Sequence, residues 1–204
     1  MEKADAFNAF LAFQAQVERQ SSLKIKGVYA DNSGEYISNQ FRAYLQDNGM
    51  ILYTSQAYSP KMNGIQEHLN RTLVEKTSAM LWTAKLPVSF WSLGLGVATY
   101  IKNRSPTIVL SVTPHEAWHG ELPNLGHLRI FGCRAQAHVP EELRLKTQWH
   151  ARTIDCIFIG YYETENLYKL WDIEKNGIIM KHDVIFWEQE LGSTLLHQQQ
   201  FLYV

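Results

Sequence analysis

Only two cysteines occur in 204 residues, and their scarcity removes whole classes of protein. Cys133 and Cys156 each sit in a hydrophobic run, not at the paired spacing of a zinc site or a disulfide framework. Both are therefore expected to be reduced core residues. Net charge is equally scarce: 19 Lys and Arg face 20 Asp and Glu, leaving −1. No global field holds a polyanion, so any contact with nucleic acid must be argued locally. No apolar run approaches the roughly 20 residues that span a bilayer, and Met1 opens an amphipathic pattern instead of a signal peptide. The expected compartment is nucleus or cytoplasm, without membrane contact. No internal repeat is visible. What is present is an ordinary globular composition, 46% hydrophobic and 19% charged, enough for one large or two small domains.

Along the chain, Phe7, Phe10, Leu11 and Val17 recur at a helical period, with Asp5 placed to cap the first turn. Ile25 to Ala30 reads as a short buried strand that stops at Asp31-Asn32-Ser33-Gly34, a cluster of turn formers. A helix from Asn39 to Asp47 closes at Asn48-Gly49, and Met50 to Thr54 supplies another strand. Ser59 to Gly64 is expected as a loop, followed by a long helix striped by Ile65, Leu69, Leu73, Met80 and Ala84 that ends before Pro87. One more helix follows, Ser89 to Asn103. Trp82, Phe90 and Trp91 read as helix-packing core.

After Pro106 the texture changes to short apolar runs at Leu128 to Phe131, Ile154 to Gly160, Leu167 to Trp171, Ile178 to Met180 and Val184 to Trp187, the pattern of a small β-barrel. Pro123, Asn124 and Gly126 mark the boundary, which divides the chain into 1–122, 123–190 and a flexible tail, 191–204.

Asp31 closes a strand and Glu67 stands one turn into the long helix, with 35 residues between them. At about 100° per residue Glu67 lies about 200° from Ile65, away from the expected buried stripe. Two-metal phosphoryl transfer needs converging carboxylates, because Mg²⁺ is a hard cation that prefers oxygen ligands. Position alone leaves a plainer reading open: a turn aspartate, and a glutamate favoured by the helix dipole.

The surrounding words narrow the choice. Tyr29-Ala30-Asp31-Asn32-Ser33-Gly34-Glu35-Tyr36 resembles the segment around the second catalytic aspartate of copia-type retrotransposon integrases, and Asn63-Gly64-Ile65-Gln66-Glu67-His68-Leu69-Asn70-Arg71 resembles their catalytic-glutamate helix. The resemblance continues through Leu86-Pro87, Asn103-Arg104-Ser105-Pro106, Thr113-Pro114, His127 to Cys133, Cys156 to Tyr161, Tyr168 to Asp172 and Val184 to Glu188. It implies an α/β fold: a truncated ribonuclease H-like integrase core missing its first strands, followed by the SH3-like β-barrel of the Pol polyprotein. It further implies Asp31 and Glu67 as catalytic metal ligands for Mg²⁺ or Mn²⁺, with retroelement ends and target DNA as partners of a homo-oligomer. Lys61, Asn63, Asn70 and Arg71, which flank Glu67, are the candidate nucleic-acid contacts. Ala30, Ser33, Gln66 and His68 depart from the usual pattern, and His68 replaces an arginine, a permanent cation beside the glutamate.

In that family the first catalytic aspartate precedes helix one, as does a His/Cys zinc module. The 204 residues begin at helix one and Asp5 suits a cap, so the chain alone is expected to be inactive and short of a central strand.

Two further readings compete. Between Pro60 and Pro106 the cations Lys61, Arg71, Lys76, Lys85, Lys102 and Arg104 exceed Glu67 and Glu75 by four charges, which suits a non-catalytic nucleic-acid-binding or assembly module. His115-Glu116-Ala117-Trp118-His119 matches the zinc-protease pattern of two histidines four apart with a glutamate base. Pro114 and Gly120 leave that segment barely more than one turn, whereas such enzymes carry it within a longer helix. His182-Asp183 are strand neighbours that point to opposite faces and read as surface.

Overall fold

The computed structural model describes residues 3–30, 39–54, 60–107, 111–139, 152–162 and 166–200. The chain divides into two compact units, Met1–Asn70 and Arg71–Val204.

The first unit follows the order α1 (Lys3–Ser21), β1 (Gly27–Ala30), α2 (Asn39–Asp47), β2 (Ile51–Thr54). The strands pair in parallel from Gly27↔Ile51 to Ala30↔Thr54, the arrangement that requires a crossover such as α2. Strand alternation decides which side chains go inward. Val28 and Leu52 pack with Phe41, Leu45 and Met50 beneath Phe7 and Phe10 of α1, while Tyr29 and Tyr53 stack at 4.5 Å on the opposite, exposed face. Gly49 takes φ +66 and lets Met50 N–H donate to Leu45 O, closing α2 as the Asn-Gly pair predicts. Asp5 does not cap α1. The helix already begins at Lys3, which places Asp5 inside its first turn.

α3 (Pro60–Ala84) runs through the division between the units. The segment expected as a loop is helical from Pro60, since the fixed φ of proline suits a helix's first position. Its buried line also differs from the expected stripe: Thr77, Leu81 and Ala84 are buried, whereas Leu69 is 41% exposed.

In the second unit a 3-10 turn (Val88–Phe90), α4 (Trp91–Asn103) and α5 (Pro114–His119) precede β3 (Cys133–His138), β4 (Thr153–Tyr161), β5 (Tyr168–Asp172), β6 (Gly177–Lys181), β7 (Val184–Leu191) and α6 (Ser193–Gln200). The five strands form one antiparallel sheet in the order β6-β5-β4-β3-β7. β4 is buried without interruption from Cys156 to Tyr161, as its unbroken apolar run requires of a central strand covered on both faces. Phe158 meets Tyr161, Tyr168 and Phe186 edge-on. α3 and α4 approach closely because Gly94 lacks a side chain: a Cβ there would stand 3.2 Å from Thr77 Cγ2.

Three expectations fail here. Leu128 to Ile130 form no strand. The first strand of the sheet in chain order is β3, between β4 and β7, whose Cys-Arg-Ala-Gln-Ala-His sequence is too rich in small and polar residues to stand out, although Cys133, Ala135 and Ala137 are fully buried. The expected tail is helical over Ser193–Gln200, with Leu195 and Leu196 against the core. Trp82 is 86% exposed and packs in no core, unlike buried Phe90 and half-buried Trp91. The stretch Leu122 to Gly126 lies outside helix and strand, yet α4 before it and the sheet after it share one hydrophobic core.

Candidate functional site

The parallel β1–β2 pair ends at Ala30 and Thr54, and Asp31 follows β1 directly but lies outside the described residues. Glu67 stands in the second turn of α3 with its side chain exposed. It has no hydrogen bond or ion pair among the described residues, so its carboxylate oxygens are open to solvent. Asn70 and Arg71 are likewise exposed on the same helix. Lys61 and Asn63 belong to the first turn of α3, and their side chains lie outside the described residues. Among the described residues no three His, Cys, Asp or Glu side chains are grouped to hold a metal ion.

Of the local excess of cations, Arg71, Lys76 and Lys85 are exposed. Arg104 is committed elsewhere, its guanidinium lying 3.5 Å above the Tyr100 ring. Tyr100 stacks on its other side against Tyr161 at 4.3 Å and its hydroxyl meets His127 Nε2 at 2.7 Å. Burial pushes the Tyr161 hydroxyl up to about 12. No local pattern marks this Arg-Tyr-Tyr-His cluster, because its members lie more than 20 residues apart in the chain, except Arg104 and Tyr100, which are four apart.

α5 is as short as Pro114 and Gly120 predict. Thr113 Oγ1 accepts from Glu116 N–H at 3.0 Å at one end, and Gly120 at φ +77 closes the other. The His115 and His119 rings face each other across that turn with centroids 4.4 Å apart. Burial first, then the Arg104 charge and the His119 ring, hold the His115 imidazole below its ordinary range. Both cysteines are buried and free, and burial pushes each thiol up to about 12. His182 and Asp183 are exposed, His182 Nδ1 lying 3.1 Å from Asn166 O. No described helix is long and apolar enough to cross a membrane.

Residues 133–200 match the family described as the retroviral polymerase SH3-like domain. Over a longer stretch the chain is 42% identical across 193 residues to the retrovirus-related Pol polyprotein from transposon TNT 1-94 of Nicotiana tabacum, covering 94% of this chain and 14% of that protein. It is 30% identical across 189 residues to the Pol polyprotein from transposon RE2 of Arabidopsis thaliana, covering 92% and 13%. The chain thus spans a small part of the length of these relatives. A simian T-cell lymphotropic virus intasome in complex with PP2A regulatory subunit B56 gamma overlaps 89% of this chain and 62% of that chain, at 14% identity and a TM-score of 0.47, too low to argue a common fold.

Proposed function

Because the chain belongs to the Pol polyproteins of copia-type retrotransposons, we propose that it is part of an integrase: a ribonuclease H-like catalytic core over residues 1–122 joined to an SH3-like barrel over 123–190. The observation that carries this reading is the extent of the likeness, 42% identity over 94% of the chain, which takes in both Asp31 and Glu67. The parallel β1–β2 pair joined through α2 suits the far side of such a core.

In this reading Asp31 and Glu67 hold the catalytic Mg²⁺ or Mn²⁺. The donor set fits, since both are hard oxygen ligands and the Glu67 carboxylate is exposed. When bound, the ions polarise the attacking and leaving oxygens of an in-line displacement. Lys61, Asn63, Asn70 and Arg71 flank Glu67 and contact the DNA backbone, a cation or amide to each phosphate. The integrase acts on retroelement ends and target DNA as a homo-oligomer. These 204 residues supply two of the acidic ligands, so the chain by itself is expected to join no DNA strands.

The test is a strand-transfer assay with two proteins: these 204 residues alone, and the same residues preceded by the adjoining upstream segment of the tobacco relative. Joined products are expected from the second only, and Asp31→Ala or Glu67→Ala should abolish them. Products from the fusion that survive Glu67→Ala would remove the carboxylate from the site.

A non-catalytic nucleic-acid-binding module is the second reading, favoured by the exposed Arg71, Lys76 and Lys85 of α3 and its flank. Each phosphate neutralised should then steepen the fall of log affinity with log salt by about 0.9 on duplex DNA, and Arg71→Ala should flatten it. Binding that salt leaves unchanged would dismiss it.

A further inference from the structure

The histidine pair of α5 is the part of the molecule that integration chemistry leaves unused. We propose that His115 and His119 form a two-imidazole chelate for a divalent transition-metal cation of the Zn²⁺ type, separate from the carboxylates at Asp31 and Glu67.

Three observations converge on it. Residues four apart on a helix lie one above the other on the same face, and here the two rings sit 4.4 Å apart with a 41° tilt, close enough for one ion to be reached from both. The turn that carries them is fixed at each end by the Thr113 hydroxyl and by left-handed Gly120, so the pair is held before any ion arrives. The His115 ring finds the backbone carbonyl of Glu121, while its Nδ1 is buried without a partner among the described residues.

Imidazole nitrogen selects zinc-like ions over Mg²⁺, which prefers oxygen. No third His, Cys, Asp or Glu joins the pair among the described residues. Water therefore completes the coordination and affinity is moderate, in contrast to four-ligand structural zinc sites. The charge of Arg104, whose guanidinium lies over Tyr100, opposes a cation here and lowers its affinity further. α5 has six residues, shorter than the helices in which zinc proteases carry this pattern, so the proposal is for binding alone.

The groups facing His115 are Arg104 at the end of α4, His119 on its own helix and Glu121 just beyond.

The experiment is a Zn²⁺ titration of the purified chain at about pH 7.5 against a competing chromogenic chelator, with circular dichroism as the folding control. The wild-type chain should bind one equivalent that His119→Ala and His115→Ala both weaken at least tenfold, and Glu116→Gln should bind within twofold of wild type. Cu²⁺ used as a probe should show two nitrogen ligands by electron paramagnetic resonance, falling to one in His119→Ala. Exposed His119 can be replaced without disturbing the core, so a folded His119→Ala protein that still binds Zn²⁺ like wild type would overturn the proposal. Loss of binding in Glu116→Gln would overturn it as well, since it would make the glutamate a ligand.

Discussion

Residues 71–204 gather seventeen buried side chains into one cluster that runs from Leu81 through the five-stranded sheet to Ile173. Among the described residues of 1–70 the cluster buries three, Phe41, Leu45 and Met50, under a rim of half-covered aromatics. The two regions use the same kinds of residue and differ in how many elements surround them. β4 has strands on both sides and covered faces, whereas among the described residues β1 and β2 pair with each other alone, and a two-stranded sheet is marginal in water. The first region is thus the more thinly packed among the described residues, and the five-stranded sheet region has the larger core.

That contrast can be broken most sharply from within the large core. Phe158→Ala removes the ring that three other aromatics meet edge-on and should cost about 3–5 kcal/mol in urea unfolding followed by Trp fluorescence. Leu45→Ala, 1% exposed in the small cluster, should cost about 2–5 kcal/mol. Hydrogen exchange should show that loss as unprotected amides in 1–70 while 133–191 stays protected. Equal loss of protection in both regions would mean that they unfold as one, and the comparison would fail.

Gly132→Ala probes the fit of the sheet against α3. Gly132 has φ +79, and a Cβ there would stand 2.3 Å from Ala84 Cβ, so about 1–3 kcal/mol should be lost from the second region alone.

The thiols give the pH dependence. Burial raises the folded Cys133 and Cys156 from 9.0 to about 12, so folding favours the protonated form. Their stabilising contribution is complete below the unfolded value, near 9, and is lost as pH rises from there toward 12. Thiol reagents at about pH 8 should therefore label either cysteine only through opening of the second region, at a rate that Phe158→Ala increases.

The smallest effect is expected at Trp82, which is 86% exposed. Trp82→Ser should shift stability by under about 0.5 kcal/mol, and a larger loss in unfolding experiments would restore the packing role that the helical pattern suggests.

Local patterns carried well where short-range physics dominates. α2 with its Asn48-Gly49 end, the β4 and β5 strands and the one-turn α5 between Pro114 and Gly120 all lie where spacing and turn chemistry put them. The pattern failed where a neighbour decided the outcome. β3 hides its role because Ala135 and Ala137 are small, and only the adjacent strands and helices make those positions buried. Trp82 and Leu81 are chain neighbours, and nothing in their types says that the leucine is covered and the larger tryptophan is not. For the candidate site, Glu67 is exposed on a helix as expected, whereas the His115 imidazole is held below its ordinary range by burial and then by the Arg104 charge, which pattern does not connect to it.

The sequence by itself determined membership in the retrotransposon Pol polyproteins and the identity of the carboxylates in its motifs, because those reside in ordered words along one chain. It also determined most helices and strands, since propensity and periodicity act over a few residues. The tertiary structure alone decided that α4 and the antiparallel sheet share a core, that the first region is thinly packed, and that a guanidinium, two tyrosines and a histidine assemble at the end of α4. Burial and long-range contact depend on which surfaces meet in space, and residues far apart in the chain carry no local mark of that meeting.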